Sequence, residues 1–384
     1  MTEPVISGAP VQPARQALLA GGGSGGHVFP ALAVRDELAR RGWSVRLAGS
    51  PEGMEARLAA ERGVELVPLP ARPFVGKSIF AKVAALGTLV RSTIAARRIV
   101  SDGGVDLVVG TGGYASAPAV LGGRWAGRPT AIVEPNAEPG AANRWISRFV
   151  DGAAVAYEST GASLSCAVWV TGVPVREGFF EAPPLRAEGK PRLLVLGGSQ
   201  GSQRLNRLLP EVLLRLFEKM PEISVLHQCG ERNVAATEAA YAAAGIESPR
   251  LRVVPFIDSM PATMAAVDLV VSRAGAITLA EICAAGRPAL LLPLPLAGGH
   301  QVENARRIEE AGAARFVEDH ALDADRLASE LEELFADRAR LVEMGERARV
   351  LARPGAAAAI ADRLEELLES RRVVGLQRTG SLAA

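Results

Sequence analysis

The chain has 384 residues, enough for two domains that each bury their own core. Its 43 Lys and Arg nearly cancel its 42 Asp and Glu, so no global field draws it to nucleic acid, and attraction to an anionic surface must come from a local patch. Three cysteines far apart in sequence and four scattered histidines argue for a reducing compartment and against a disulfide framework or a zinc site, and no apolar run reaches the roughly 18 residues a membrane span needs. The amino terminus lacks a signal-peptide core, so a cytoplasmic protein is expected.

Residues 1–15 read as a disordered lead-in. Ala17 to Ala20 is a short buried strand that runs into Gly21-Gly22-Gly23-Ser24-Gly25-Gly26-His27, and a helix is expected from about 28 to 41 with Pro30 in its first turn. Gly21, Gly23 and Gly26 satisfy G-x-G-x-x-G, which raises a dinucleotide fold. That reading wants an acid at the end of the second strand, and Val45–Ala48 ends in Gly49-Ser50 with the first acid only at Glu52. What survives is a glycine-rich anion nest followed by a histidine. Strands follow at 64–69, 105–109 and 130–133, the last two ending in Gly110-Thr111-Gly112-Gly113-Tyr114 and Glu134-Pro135-Asn136. Between them, Phe74, Ile79 and Phe80 interleaved with Lys77 and Lys82 resemble a membrane-surface patch, or equally a core-packed segment with solvated cations. A helix from about Pro139 carries Asn143. Alternation of this kind means an α/β fold with a right-handed, mostly parallel sheet whose strand ends form one polar rim.

After a strand at 167–170, the turn-rich stretch 172–191 marks a domain boundary. The first domain is expected over 16–172 and the second over 173–353. Arg192–Leu196 opens a second series with its own nest, Gly197-Gly198-Ser199-Gln200-Gly201, and a helix from Ser202 to about Met220. Further strands fit 223–227, 251–254, 267–271, 289–292 and 314–317, with helices near 322–335 and 338–352. A last helix at about 355–370 is expected to cross back to the first domain, leaving 371–384 frayed. The molecule therefore reads as two Rossmann-like, doubly wound domains facing across a cleft. In the second, the strand before Ser272-Arg273-Ala274-Gly275 leads into a helix near Ala276. Its free N–H groups and positive dipole end suit a phosphate, with Arg273 adding charge and Thr278 a hydroxyl. Glu281, further along, is placed to accept hydrogen bonds from a sugar diol. Asp323-Ala324-Asp325, the one D-x-D, starts an amphipathic helix and reads as a helix cap, not a metal site.

These residues carry a resemblance that spans nearly the whole chain. GGGSGGHVFPALAV (21–34), GTGGYASAP (110–118), GVPVR (172–176), GGSQGSQRLN (197–206), FIDSM (256–260), SRAGAITLAEI (272–282) and HQVENA (300–305) together resemble the MurG family. The resemblance implies the two-domain GT-B fold and inverting transfer of N-acetylglucosamine from UDP-N-acetylglucosamine to the C4 hydroxyl of the N-acetylmuramoyl unit of lipid I. The product would be lipid II, for peptidoglycan, cell shape and cell division, made without a metal cofactor at the cytoplasmic face of an anionic membrane. Departures from the family pattern are Ser24 for a common Thr, Pro135 in place of Gln, and Val173 in place of an Asn.

The resemblance also implies roles for residues. The donor would be held by Ser24, Gly25, Gly26, Asn136, Arg176, Ser199, Gln200, Ile257 and Arg273, by the run Ala276, Ile277, Thr278, Leu279, Ala280 and Glu281, and by Gln301. Glu281 would take the ribose hydroxyls, Arg176 and Ser199 the diphosphate, and Gln301 the sugar. Thr111, Gly112, Gly113, Tyr114 and Asn143 would face the acceptor and its diphosphate. His27 is the expected base for the acceptor hydroxyl, with Glu134 as its rival. Other readings on the same plan are a UDP-sugar 2-epimerase, a diacylglycerol-directed transferase and a non-catalytic sugar-nucleotide-binding subunit.

Overall fold

A computed structural model describes residues 14–69, 79–198, 200–295 and 299–380. Buried apolar runs that end at glycines or small polar residues build two parallel sheets. The first contains β1 (Gln16–Gly21), β2 (Ser44–Gly49), β3 (Leu66–Pro68), β4 (Leu107–Gly112), β5 (Thr130–Glu134), β6 (Gly152–Val155) and β7 (Ala167–Val170), in the order β3-β2-β1-β4-β5-β6-β7. The second contains β8 (Arg192–Leu196), β9 (Ser224–Gln228), β10 (Leu251–Val254), β11 (Leu269–Ser272), β12 (Ala289–Leu291) and β13 (Ala314–Phe316), in the order β10-β9-β8-β11-β12-β13. The pairing is parallel throughout, as at Leu19 with Leu47 and Val271 with Leu290, so crossovers must cover both faces. Accordingly Leu18 and Leu19 are both fully buried but belong to different apolar clusters, one on each face of the sheet.

Strand order reverses between β1 and β4 in the first sheet and between β8 and β11 in the second. Such switch points open a crevice at the carboxyl ends of the strands, where open α/β sheets bind ligands. The glycine nests lie at those four strand ends.

Four elements depart from the sequence reading. The first helix spans Gly25–Arg40 and starts inside the glycine run, so Pro30 falls in its second turn and the Gly26 carbonyl lacks its intrahelical partner. The strand β6 and the helix Met54–Glu61 were not foreseen. The last helix, Ala356–Gly380, continues past 370. It packs on the first domain: Ile360, Ala361, Leu364 and Leu368 join the cluster around Leu32 and Leu38, and the Trp43 indole N–H donates to Glu365 at 2.9 Å. A Cβ added to Gly172, whose φ is +85°, would run into Arg353, so the two chain crossings between the lobes lie side by side.

Candidate active site

On the first lobe the site is built by two interlocked glycine turns. Gly112 and Gly113, with φ of +103° and +78°, fold the end of β4 over the loop after β1. A Cβ at Gly113 would collide with the Gly22 carbonyl, and one at Gly112 with the His27 ring. Only glycine allows this approach. The Thr111 hydroxyl is buried and donates to the His27 carbonyl at 2.7 Å, so it binds loop to loop and is not free for a phosphate as expected. Tyr114 is half-buried beneath Gly23.

His27 lies in the first turn of the helix Gly25–Arg40, half-buried, with Nδ1 3.2 Å from the Thr111 carbonyl. A carbonyl only accepts, so neutral His27 carries its proton on Nδ1 and leaves the Nε2 lone pair open. Burial holds its pKa below the usual 6.5, against the Thr111 bond and the field of Glu134, which both raise it. The imidazole is thus a neutral acceptor at neutral pH. Ser24, the residue before this helix, is exposed and makes no side-chain cap, so among the described residues the N–H groups of Gly25 and Gly26 have no capping partner.

Glu134 is different from the expected rival base. Its carboxylate is buried and takes four hydrogen bonds: Asn136 N at 3.0 Å and Asn136 Nδ2 at 2.8 Å on Oε1, Gly140 N at 2.9 Å and Asn143 Nδ2 at 3.0 Å on Oε2. Both oxygens are committed to folding the loop after β5, which leaves no free lone pair suited to removing a proton. Asn143, expected to touch the acceptor, is buried and serves that carboxylate instead.

On the second lobe the helix Ala276–Ala285 starts at Gly275 with no side-chain cap. The first intrahelical bond there is Leu279 N to Gly275 O at 3.0 Å, so the N–H groups of Ala276, Ile277 and Thr278 remain for an anion. The Ile277 and Leu279 side chains are buried, Leu279 in the core of the lobe, so these residues offer backbone rather than side chain. Ile257, in the turn after β10, is buried at the same end of the sheet. Gln200 is exposed on the nest after β8, and Ser199 lies outside the described residues.

Arg273 does not supply a free charge. Its guanidinium donates to Leu292 O (2.9 Å), Asp319 Oδ1 (3.0 Å) and Ser202 Oγ (3.1 Å), pinning the turns after β8, β11 and β12 together. Arg176 occupies the cleft instead. Its Nη2 is 3.3 Å from Glu281 Oε1, its plane lies over Phe29 of the first lobe and Phe179, and its buried Nε has no hydrogen-bond partner among the described residues. Burial pushes the Glu281 carboxyl up to about 7, against the lowering effect of Arg176. Gln301 is the second residue of the helix His300–Glu310, where its Oε1 accepts from Leu294 N at 2.9 Å and its amide nitrogen remains to donate.

Two residues matter that the sequence did not single out as site members. Glu55, buried in the unforeseen helix Met54–Glu61, accepts from Gly23 N (3.2 Å) and Ser50 N (2.9 Å) and so props the first nest from below. Its carboxylate fills the place where a dinucleotide fold would need one, but it faces the glycines. Asn304, one turn after Gln301, is buried and accepts from Ala137 N at 2.9 Å while donating to Asn136 Oδ1 and Ala274 O, each at 3.2 Å. Its signal was the i, i+3 spacing from Gln301.

Phe74 and Lys77 lie outside the described residues. Ile79, Phe80 and Lys82 fall in the first turn of the helix Ile79–Asp102, where only the backbone is described. Further along that helix Leu86, Val90 and Ile94 form an exposed stripe at i, i+4, i+8, and Arg97 stacks on the exposed Trp125 ring at 4.9 Å. Asp323 accepts from Arg326 N at 2.7 Å as the cap of the helix Ala324–Ala336.

Two facing lobes with uncapped helix starts at their strand ends, the Glu281 carboxylate and the neutral His27 imidazole form a cleft that can take an anionic, phosphate-bearing ligand, and the family models that match the chain are those of glycosyltransferases. The model described as glycosyltransferase family 28 N-terminal domain matches residues 17–155, and that described as glycosyltransferase family 28 C-terminal domain matches 192–363. A relative from Sorangium cellulosum (strain So ce56), named UDP-N-acetylglucosamine--N-acetylmuramyl-(pentapeptide) pyrophosphoryl-undecaprenol N-acetylglucosamine transferase, is 41% identical over 365 residues, 92% of this chain and 89% of its own. One from Solibacter usitatus (strain Ellin6076) with the same name is 40% identical over 91% of this chain and 95% of its own. The crystal structure of Acinetobacter baumannii MurG superposes with a TM-score of 0.72 at 32% identity, covering 92% of this chain and all of that one. The chain belongs to the MurG family.

Proposed function

We propose that the chain transfers N-acetylglucosamine from UDP-N-acetylglucosamine to the C4 hydroxyl of the N-acetylmuramoyl unit of lipid I, giving lipid II and UDP. The observation that carries the mechanism is the pairing of an uncapped helix start at Ala276 with a neutral His27 whose Nε2 is open. The acceptor oxygen attacks the anomeric carbon and gives its proton to Nε2. The bond from that carbon to the phosphate breaks, and UDP leaves with the electron pair. Charge grows on the diphosphate as this bond breaks, and the N–H groups of Ala276–Thr278 meet it without reorganising. Donor ribose takes over Glu281 from Arg176, which frees that guanidinium for the phosphates. Gln301 reads the sugar hydroxyls with its amide.

No step in this scheme calls for a metal, because backbone N–H groups and Arg176 carry the leaving charge. The membrane contact is assigned to the first lobe, around the stripe Leu86, Val90, Ile94 and the Arg97–Trp125 stack. A second exposed ring pair on this lobe, Trp145–Phe149 with centroids 5.2 Å apart, has Arg144 and Arg148 as chain neighbours. Exposed aromatics beside cations suit a headgroup layer carrying negative charge. The deciding experiment offers radiolabelled UDP-N-acetylglucosamine and a short-chain lipid I analogue, with and without chelator. Label in a β-linked disaccharide lipid, undiminished by chelator, is expected. Free N-acetylmannosamine or UDP-N-acetylmannosamine as product would replace this reading with an epimerase, and activity lost to chelator and restored by magnesium would remove the metal-free step.

A further inference from the structure

The helix His300–Glu310 belongs to the second lobe by connection, yet one side of it is fastened to the first. Asn304 takes the Ala137 N–H on its oxygen and spends both amide hydrogens, one on Asn136 Oδ1 and one on the Ala274 carbonyl. One turn later Arg307 donates to Ser159 Oγ at 2.8 Å and lies over the Tyr157 ring at 4.9 Å. The loop it grips is itself fixed from below: Thr160 Oγ1 donates to the Asn136 and Ala137 carbonyls, and Glu134 holds Asn136. Ala274, on the other side, immediately precedes the turn that starts the donor-phosphate helix.

From this we propose that Asn304 is a positioning residue, a buried amide that sets the gap between the donor-holding turn and the first-lobe loop after β5. The inference rests on the transferase reading above and deepens it by naming what registers the two substrates. Both amide hydrogens are used and the oxygen is engaged, so the position of the amide is fixed to about the tolerance of a hydrogen bond. A shift of about 1 Å between reacting groups costs on the order of 10²-fold in rate while leaving each substrate's own contacts whole. Asn304 touches neither substrate in this scheme. It acts through Ala274 and through the loop at Asn136.

The test is Asn304→Asp in the full chain, assayed with UDP-N-acetylglucosamine and the short-chain lipid I analogue at several pH values. The carboxylate keeps the oxygen for Ala137 N–H but turns two attractive contacts into oxygen facing oxygen. We expect kcat to fall about 30- to 100-fold while the donor KM and UDP affinity stay within about threefold. The ratio of variant to native kcat should rise as pH falls, because a protonated side chain regains one donor. Asn304→Leu, similar in volume, should match the loss but show no pH recovery, and UDP binding by calorimetry checks that either variant is folded. Arg306→Ala on the exposed side of the same helix should behave as native. Native kcat in Asn304→Asp, or donor affinity falling in parallel with kcat, overturns the proposal. Failure of the native chain to transfer sugar would overturn the transferase reading instead, and the two results are distinct.

Discussion

The two lobes repeat one plan, strand, glycine turn, helix, but they treat their helix starts differently. In the second lobe the helix Gln203–Lys219 is closed by its own cap, Ser202 accepting from Leu205 N at 3.5 Å and from Arg273. The neighbouring helix Ala276–Ala285 has no cap. In the first lobe the helix Gly25–Arg40 is uncapped, and His27 is rooted in its first turn. A capped start is a finished piece of structure, while an uncapped one keeps N–H groups that a bound anion must satisfy. In the proposed reaction this becomes a division of labour: the second lobe presents N–H groups to the leaving diphosphate, and the first presents His27 as base beside its own open helix end.

The sharpest way to break that contrast is to remove the base. His27→Ala should lower kcat by about 10²–10⁴-fold with UDP binding unchanged, measured by single-turnover transfer and calorimetry. Near-native turnover would return His27 to a purely architectural role. Glu134→Gln should cost less in kcat and more in thermal stability, because its oxygens hold a loop. Next in size, Gly113→Ala should destabilise the first lobe by about 1–3 kcal/mol, read as a shifted urea midpoint, because its φ is positive and Gly22 blocks the space. The mirror change Gly275→Ala, where nothing crowds the site and φ is −68°, should leave stability nearly untouched.

A smaller effect is expected from pH. Glu281 has a folded pKa of about 7, above its usual 4.5, so the folded chain holds a proton that the unfolded chain has released between those values. Its contribution to stability is full below 4.5 and is lost as pH rises through about 7. Donor affinity should run the other way, strengthening as pH rises through about 7, because the ionised carboxylate accepts both ribose hydroxyls. Glu281→Gln should flatten that dependence in calorimetric titrations with UDP. The acid limb of kcat/KM assigned to His27 should lie below 6.5, since burial lowers its pKa. Smallest, Trp125→Ser or Trp145→Ser should weaken binding to vesicles containing phosphatidylglycerol by a few-fold while leaving turnover on a soluble acceptor intact. Loss of turnover on that acceptor would tie these rings to the reaction and not to a surface.

Much of this was legible in residues alone. The strand Arg192–Leu196 was bounded correctly because its leucine and valine run meets Pro191 and Gly197, and Leu251–Val254 because it meets Pro255 and starts two residues after Pro249. The strand β6, Gly-Ala-Ala-Val, escaped because small residues carry little strand signal and its burial comes from neighbours on both sides. The helix starts were read from the glycines, and the family blocks pointed to Ser24, His27 and Glu281. The sequence could not show which polar groups were already spent. Arg273 beside a helix start looks like a phosphate ligand until Asp319 and Ser202, distant in sequence, are seen to hold it. Glu134 looks like a base until four donors are found on it. Glu55 drew no attention, and Asn304 entered only within the HQVENA block with no role given, because their partners lie on other elements and side-chain satisfaction is a tertiary property.

The last helix carries one more lesson. Ile360, Ala361, Leu364 and Leu368 complete the core of a lobe whose other members were made at the beginning of the chain. On a ribosome, the second lobe has all its strands and most of its cover while the first still waits for its final wall. A chain cut at Pro354 would leave Leu32 and Leu38 facing water. Anyone wishing to produce the first lobe alone would have to graft residues 356–371 onto it, for instance through a short linker from Thr171.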